Sequence, residues 1–142
     1  MASGVEAGLK RSCRTCVERQ PLAGVRYYRR MTLNDYQTGA RTTALYPEHA
    51  RVIYPALKLA GEAGEVAEKL GKLMRDEGYV VGAELNDEQT AALAKELGDV
   101  LWYVANLAAD LGLSLEDVGA MNLAKLASRK ERGVIGGSGD DR

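Results

Sequence analysis

Two pairs of acidic residues carry the chemistry that this chain can be asked to do. Glu62 and Glu65 stand three apart in the segment KLAGEAGEVAEKLGKLM, Lys58 to Met74. Glu96 and Asp99 repeat that spacing in KELGDVLWY, Lys95 to Tyr103. On a 3.6-residue helix each pair shares one face, one turn apart. Like charges so placed repel by roughly 0.3 kcal/mol, and Glu65 has a basic residue, Lys69, four positions on. Apolar stripes run beside both pairs: Leu59, Ala63, Val66, Leu70 and Leu73 in the first, Leu93, Leu97, Val100, Leu101 and Val104 in the second. Two helices packed through those stripes bring four carboxylates together. Such a cluster needs positive charge, and a hard cation with oxygen ligands is the simplest source. One pair alone is ordinarily a solvated face; two beside packing stripes favour a site.

Other chemistries fare worse. There is no G-x-S-x-G elbow, and His49 is the only histidine. Gly64 precedes Gly71-Lys72, but Leu73 stands where a Walker A loop needs Ser or Thr. No Glu-x-x-His pair offers a di-iron site. Cys13 and Cys16 lack the further ligands of a zinc site and read as free thiols. All-carboxylate coordination suits Mg2+ or Mn2+. Mg2+ joins carboxylates to substrate phosphates, so metal-assisted attack of water on a phosphate ester or anhydride follows.

The elements that must position these acids are helices. The chain has 142 residues, the size of one domain, with three prolines, one Trp, seven Tyr and no Phe, a composition that favours an all-α fold. Residues 1–30 carry seven Lys/Arg against two Glu, and residues 31–142 carry twelve against eighteen Asp/Glu. The acidic body argues against nucleic-acid binding. No apolar run is long enough for a membrane span and no h-region follows the basic start, so a soluble, cytoplasmic protein is expected.

Residues 1–30 show no sustained period and read as a basic, disordered extension; a transit peptide is the second reading, and Met31 is a plausible alternative start. The helical domain spans 31–133 and a Gly-rich tail 134–142. Thr32 with Asp35 forms a capping-box signal for a first helix over Leu33 to Leu45, broken by Tyr46-Pro47. His49 falls in the loop after it. A second helix runs from Val52 to Asp76, with Pro55 in its first turn. Asn86 or Asp87 caps a third that ends at Gly112, and Ser114 with Asp117 opens a fourth from Leu115 to Arg132, stopped at Gly133. A four-helix bundle results, with the second and third helices as antiparallel neighbours.

The blocks GEAGEVAEKL and KELGDVLWYV resemble the two signature segments of the MazG-like all-α nucleoside triphosphate pyrophosphohydrolases, E-E-x-x-E followed by E-x-x-D. Gly61 replaces the first Glu of that pattern. The resemblance covers about Leu33 to Arg132. It implies the reaction NTP + water → NMP + pyrophosphate, acting on ribo- or deoxynucleotides in nucleotide-pool cleaning. Glu62, Glu65, Glu96 and Asp99 would hold Mg2+ (or Mn2+), with Glu65 a candidate base. Relatives acting on dUTP, dCTP or phosphoribosyl-ATP share the pattern. Lys69, Lys72, Lys125 and Arg129 are candidates for meeting phosphate charge, and Asn122 with Lys125 fits the family's last-helix pair. Lys58 reads either way. Tyr103, on the Asp99 face, is a candidate ribose or base contact, with Asn106 weaker; Trp102 reads as core or interface. The family works as homodimers or homotetramers. The reading from another class is a non-catalytic helical interaction protein whose acids are a solvated face.

Overall fold

The structure is a computed structural model that describes residues 31–136. The expectations for residues 1–30 and for the end of the Gly-rich tail lie outside the described residues. Within them stand four helices: α1 (Leu33–Arg41), α2 (Ile53–Asp76), α3 (Asp87–Asp110) and α4 (Leu115–Glu131), with a 3-10 turn at Glu48–Ala50. There is no strand among the described residues.

The starts follow the capping signals. Thr32 accepts the Asp35 amide while the Asp35 carboxylate accepts the Thr32 amide, a complete capping box. Asn86 and Gln89 do the same for α3, whereas at α4 Ser114 accepts from Asp117 without the reciprocal bond. Gly112 (φ +72°) and Gly133 (φ +70°) close α3 and α4 in the left-handed conformation. The amides of Leu113 and Val134 there reach back to the carbonyls of Ala108 and Arg129.

The first helix is shorter than its sequence predicts, ending at Arg41 instead of Leu45. The hydroxyls of Thr42 and Thr43 donate to the carbonyls of Gly39 and Ala40 at 2.7 and 2.9 Å. These local bonds compete with the helical ladder. Residues 42–52 therefore form a loop, which contributes to the site described below.

Helices α2 and α3 pack along their lengths. The cross-helix contacts Glu77–Gln89, Lys69–Glu96 and Tyr54–Tyr103 run in opposite directions along the two chains, so the pair is antiparallel. The core lies on the other side of α3, where Ala40, Ala105, Ala108 and Leu115 are buried with Tyr36, Trp102, Val104 and Val118 against them. Gln37 ties three elements: its amide nitrogen donates to the carbonyls of Ala105 and Leu113, and its oxygen accepts the Leu115 amide. The α2–α3 pair buries less. Leu73 is buried, but Leu97 and Leu101 of the predicted α3 stripe keep 56% and 38% of their surface exposed.

Candidate active site

Glu62, Glu65 and Glu96 converge across the α2–α3 seam, with one carboxylate oxygen from each lying within 4.8 Å of the others. Glu62 is buried, Glu96 half-buried and Glu65 exposed. The helix spacing puts Glu62 and Glu65 on the seam, and the antiparallel register brings Glu96 opposite them. Asp99, one turn on, is outside that triplet but lines a cleft of about 360 Å3 with Glu62, Thr43, Trp102 and Tyr103.

Two lysines neutralise part of the cluster. Lys58 reaches Glu62 at 3.1 Å and Lys69 reaches Glu96 at 3.2 Å. The pair expected from spacing, Lys69 with Glu65, gives way to one across the seam, because the Lys69 side chain points at α3. The Glu62 carboxylate in turn raises the Lys58 ammonium above its ordinary value. Lys72 pairs with Glu68 at 2.8 Å and borders a separate hollow of about 200 Å3 with Lys69, Glu77 and Gln89.

An aromatic cleft of about 370 Å3 adjoins the acids, sharing Thr43, Trp102 and Tyr103 with the first and adding Leu45, Tyr46, Pro47 and Tyr54. Tyr46 and Tyr54 have ring centroids 5.3 Å apart, Tyr54 and Tyr103 6.3 Å, and Trp102 meets Tyr103 edge-on at 4.8 Å. The Lys58 ammonium lies 5.8 Å over the Tyr103 ring. Burial, reinforced by Tyr54, pushes the Tyr103 hydroxyl up. The Trp102 indole donates to the Thr43 hydroxyl at 2.8 Å, so Trp102 is a wall of this cleft as well as part of the core. Sequence reading missed Thr43, Tyr46 and Tyr54, since their loop and helix start gain meaning only when folded against α3.

Asn106, a base-contact candidate from sequence, is 1% exposed and donates to the Trp102 carbonyl, which makes it a core residue. Asn122 and Lys125 are exposed on α4, and Arg129 is buried at 5%. That helix packs against α1 and α3. His49 is exposed in the 3-10 turn.

A second polar group went unread in the sequence. The side chain of Asp110, at the end of α3, is fully buried. It meets Arg41 at 2.8 Å, accepts the Tyr46 hydroxyl at 2.8 Å and accepts the Val52 amide at 3.1 Å. Burial alone would raise its pKa; the Val52 amide, the Tyr46 hydroxyl and Arg41 together outweigh that and hold it below the usual carboxylate value. A signal existed: an acid in the last turn of a helix opposes the helix dipole, so it needs partners elsewhere. Val52 itself has φ +68° and ψ −55°, with the Ile53 amide bonded to the Arg51 carbonyl at 2.8 Å. This is a γ-turn of the strained kind, costing about 1–3 kcal/mol for a β-branched residue.

An all-α fold with paired acids facing each other across two antiparallel helices defines a class of carboxylate-rich sites suited to a hard divalent ion. Residues 55–134 match the MazG nucleotide pyrophosphohydrolase domain, and the chain belongs to that family. It is also similar to the Gene 37 protein of Mycobacterium phage L5, with 46% identity over 118 residues, covering 79% of this chain and the whole of that protein. No solved structure matches. No helix among the described residues is long and apolar enough to cross a membrane.

Proposed function

We propose that the protein is a Mg2+-dependent nucleoside triphosphate pyrophosphohydrolase, converting NTP or dNTP and water to the monophosphate and pyrophosphate. The observation that carries this reading is the meeting of Glu62, Glu65 and Glu96 within 4.8 Å beside an aromatic cleft. The donor set fits the ion: three carboxylates supply oxygen ligands, and exposed Glu65 leaves room for the waters that Mg2+ retains. Asp99 completes the set from the edge of the cleft. A divalent ion held by these carboxylates would supply charge neutralisation for the triphosphate and lower the pKa of a water.

The chain's own residues do the rest. Glu65 takes the proton as the water oxygen bonds to the α-phosphorus, and the α–β anhydride bond breaks to release pyrophosphate. Lys58 and Lys69, already at the cluster, exchange carboxylate partners for phosphate oxygens. The rings of Tyr54, Trp102 and Tyr103 offer stacking surface to the base or sugar. The cell use is removal of unwanted nucleotides from the cytoplasmic pool.

We read the working form as a homodimer or homotetramer. Ile53, Leu57, Leu97, Met121 and Leu123 are each more than half exposed, which supports burial against a second copy. Lys72, Lys125 and Arg129 stay as proposed phosphate contacts and Asn122 as a proposed nucleotide contact, tested by substitution.

Incubation with canonical and modified (d)NTPs, including dUTP, dCTP and phosphoribosyl-ATP, with Mg2+ tests the reading. Release of monophosphate and pyrophosphate supports it. Orthophosphate as the product, or no product from any nucleotide, overturns it.

A further inference from the structure

We infer that Asp110, together with Arg41, is a positioning residue that sets the aromatic wall of the cleft. The inference rests on the reading of that cleft as the nucleotide site. Asp110 does not itself line the cleft, yet its carboxylate gathers donors from three separate segments. Arg41 comes from the end of α1, Tyr46 from the loop, and the Val52 amide from the turn before α2. Arg41 also donates to the Tyr46 hydroxyl at 2.7 Å, closing a ring of three groups.

Packing alone does not account for this arrangement. A buried ion pair can often be replaced by apolar side chains without loss of stability, so its distinctive contribution is direction. Here the direction is visible in Val52, whose positive φ persists only where the surroundings over-determine it. The Val52 amide is held by Asp110, and Tyr54 follows two residues later. Its ring lies between those of Tyr46 and Tyr103. A second link runs from Arg41 to the Asn106 oxygen at 3.5 Å, and from the Asn106 amide to the Trp102 carbonyl at 2.9 Å. Both walls of the cleft, Tyr54 and Trp102, therefore connect to the same clamp. Asp110 bonds to Arg41, Tyr46 and Val52 rather than to Glu62, Glu65 or Glu96, so the clamp governs how well nucleotide fits and not how the metal is held.

The test uses the full chain with Asp110→Asn, which keeps shape, and Arg41→Gln, a milder change at a partly exposed side chain. In the unliganded protein, near-ultraviolet circular dichroism of the tyrosines and of Trp102, the only tryptophan, should weaken in both variants while the helical far-ultraviolet signal is kept. With the best substrate of the panel, KM should rise about tenfold, kcat should hold within about threefold, and Mn2+ affinity read by electron paramagnetic resonance should not move. Arg41→Lys should recover part of the KM. Unchanged near-ultraviolet spectra in two folded variants overturn the inference, as does a fall in kcat or Mn2+ affinity in step with KM. A wild-type chain that turns over no nucleotide removes the proposed function, and the spectra of the unliganded variants still decide the positioning role.

Discussion

The Lys69 ammonium on α2 lies 3.2 Å from the Glu96 carboxylate on α3, crossing the seam in which the acids gather. Glu65, four residues before Lys69 and the partner that helix spacing favours, is left without that ion pair. The cation is spent on holding the two helices together at the height of the site, and a divalent ion would take over that task.

Replacing Lys69 tests this exchange. In EDTA, Lys69→Gln should lower stability by about 0.5 kcal/mol, since the pair is partly exposed. Saturating Mg2+ should then stabilise the variant more than the parent, because binding to the folded state alone adds stability by mass action. Thermal melts with EDTA and with Mg2+ give both numbers, and equal Mg2+ shifts in the two proteins would refute the exchange.

Removal of the acids should separate chemistry from folding. Glu62→Gln, Glu96→Gln and Asp99→Asn are each expected to lower metal-dependent turnover by at least ~100-fold. Their melting points in EDTA should stay close to the parent, since each removes one charge from a repulsive cluster while Glu62→Gln and Glu96→Gln also give up the ion pairs to Lys58 and Lys69. Pyrophosphate release and thermal melts check the two halves of the statement.

The aromatic wall should be felt in substrate affinity. Tyr54→Ala takes away a ring placed between Tyr46 and Tyr103. Loss of about 1–3 kcal/mol of stacking corresponds to a rise in KM of roughly 5- to 150-fold. The intrinsic fluorescence of Trp102, which borders both halves of the cleft, should change on titration with nucleotide in Ca2+. A flat titration for every nucleotide would place the base elsewhere.

Acid should weaken the fold partly through Asp110. Its carboxyl is held below the ordinary value of 3.8, so the unfolded chain binds the proton more readily. The stability this group contributes is complete above that ordinary value and is lost as pH falls through the lower, folded one. Urea midpoints between pH 6 and pH 2.5 should therefore fall more steeply below about pH 4 for the parent than for Asp110→Asn. Parallel curves would show that the carboxylate gains nothing from its burial.

Local order and chemical class were legible in the residues themselves. Periodicity placed α2 over its observed span to within a residue, and Thr32, Asn86, Gly112 and Gly133 marked ends that backbone hydrogen bonding makes local. Glu62, Glu65 and Glu96 could be brought together on paper because helix rise and an antiparallel turn are nearly fixed geometry. The early end of α1 was not legible, since the Thr42 and Thr43 hydroxyls choose between two local bonding patterns of similar energy. The cleft was decided only by tertiary structure. Tyr103 lies about 50 residues beyond Tyr46 and Tyr54 along the chain, and no period links them. Asp110 reads as one more acid until Arg41, Tyr46 and the Val52 amide arrive from segments about 60 residues away. The partner of Lys69 was settled the same way: packing puts Glu96 in reach in place of the Glu65 its own helix offers, while Lys58 and Lys72 keep partners on their own helix.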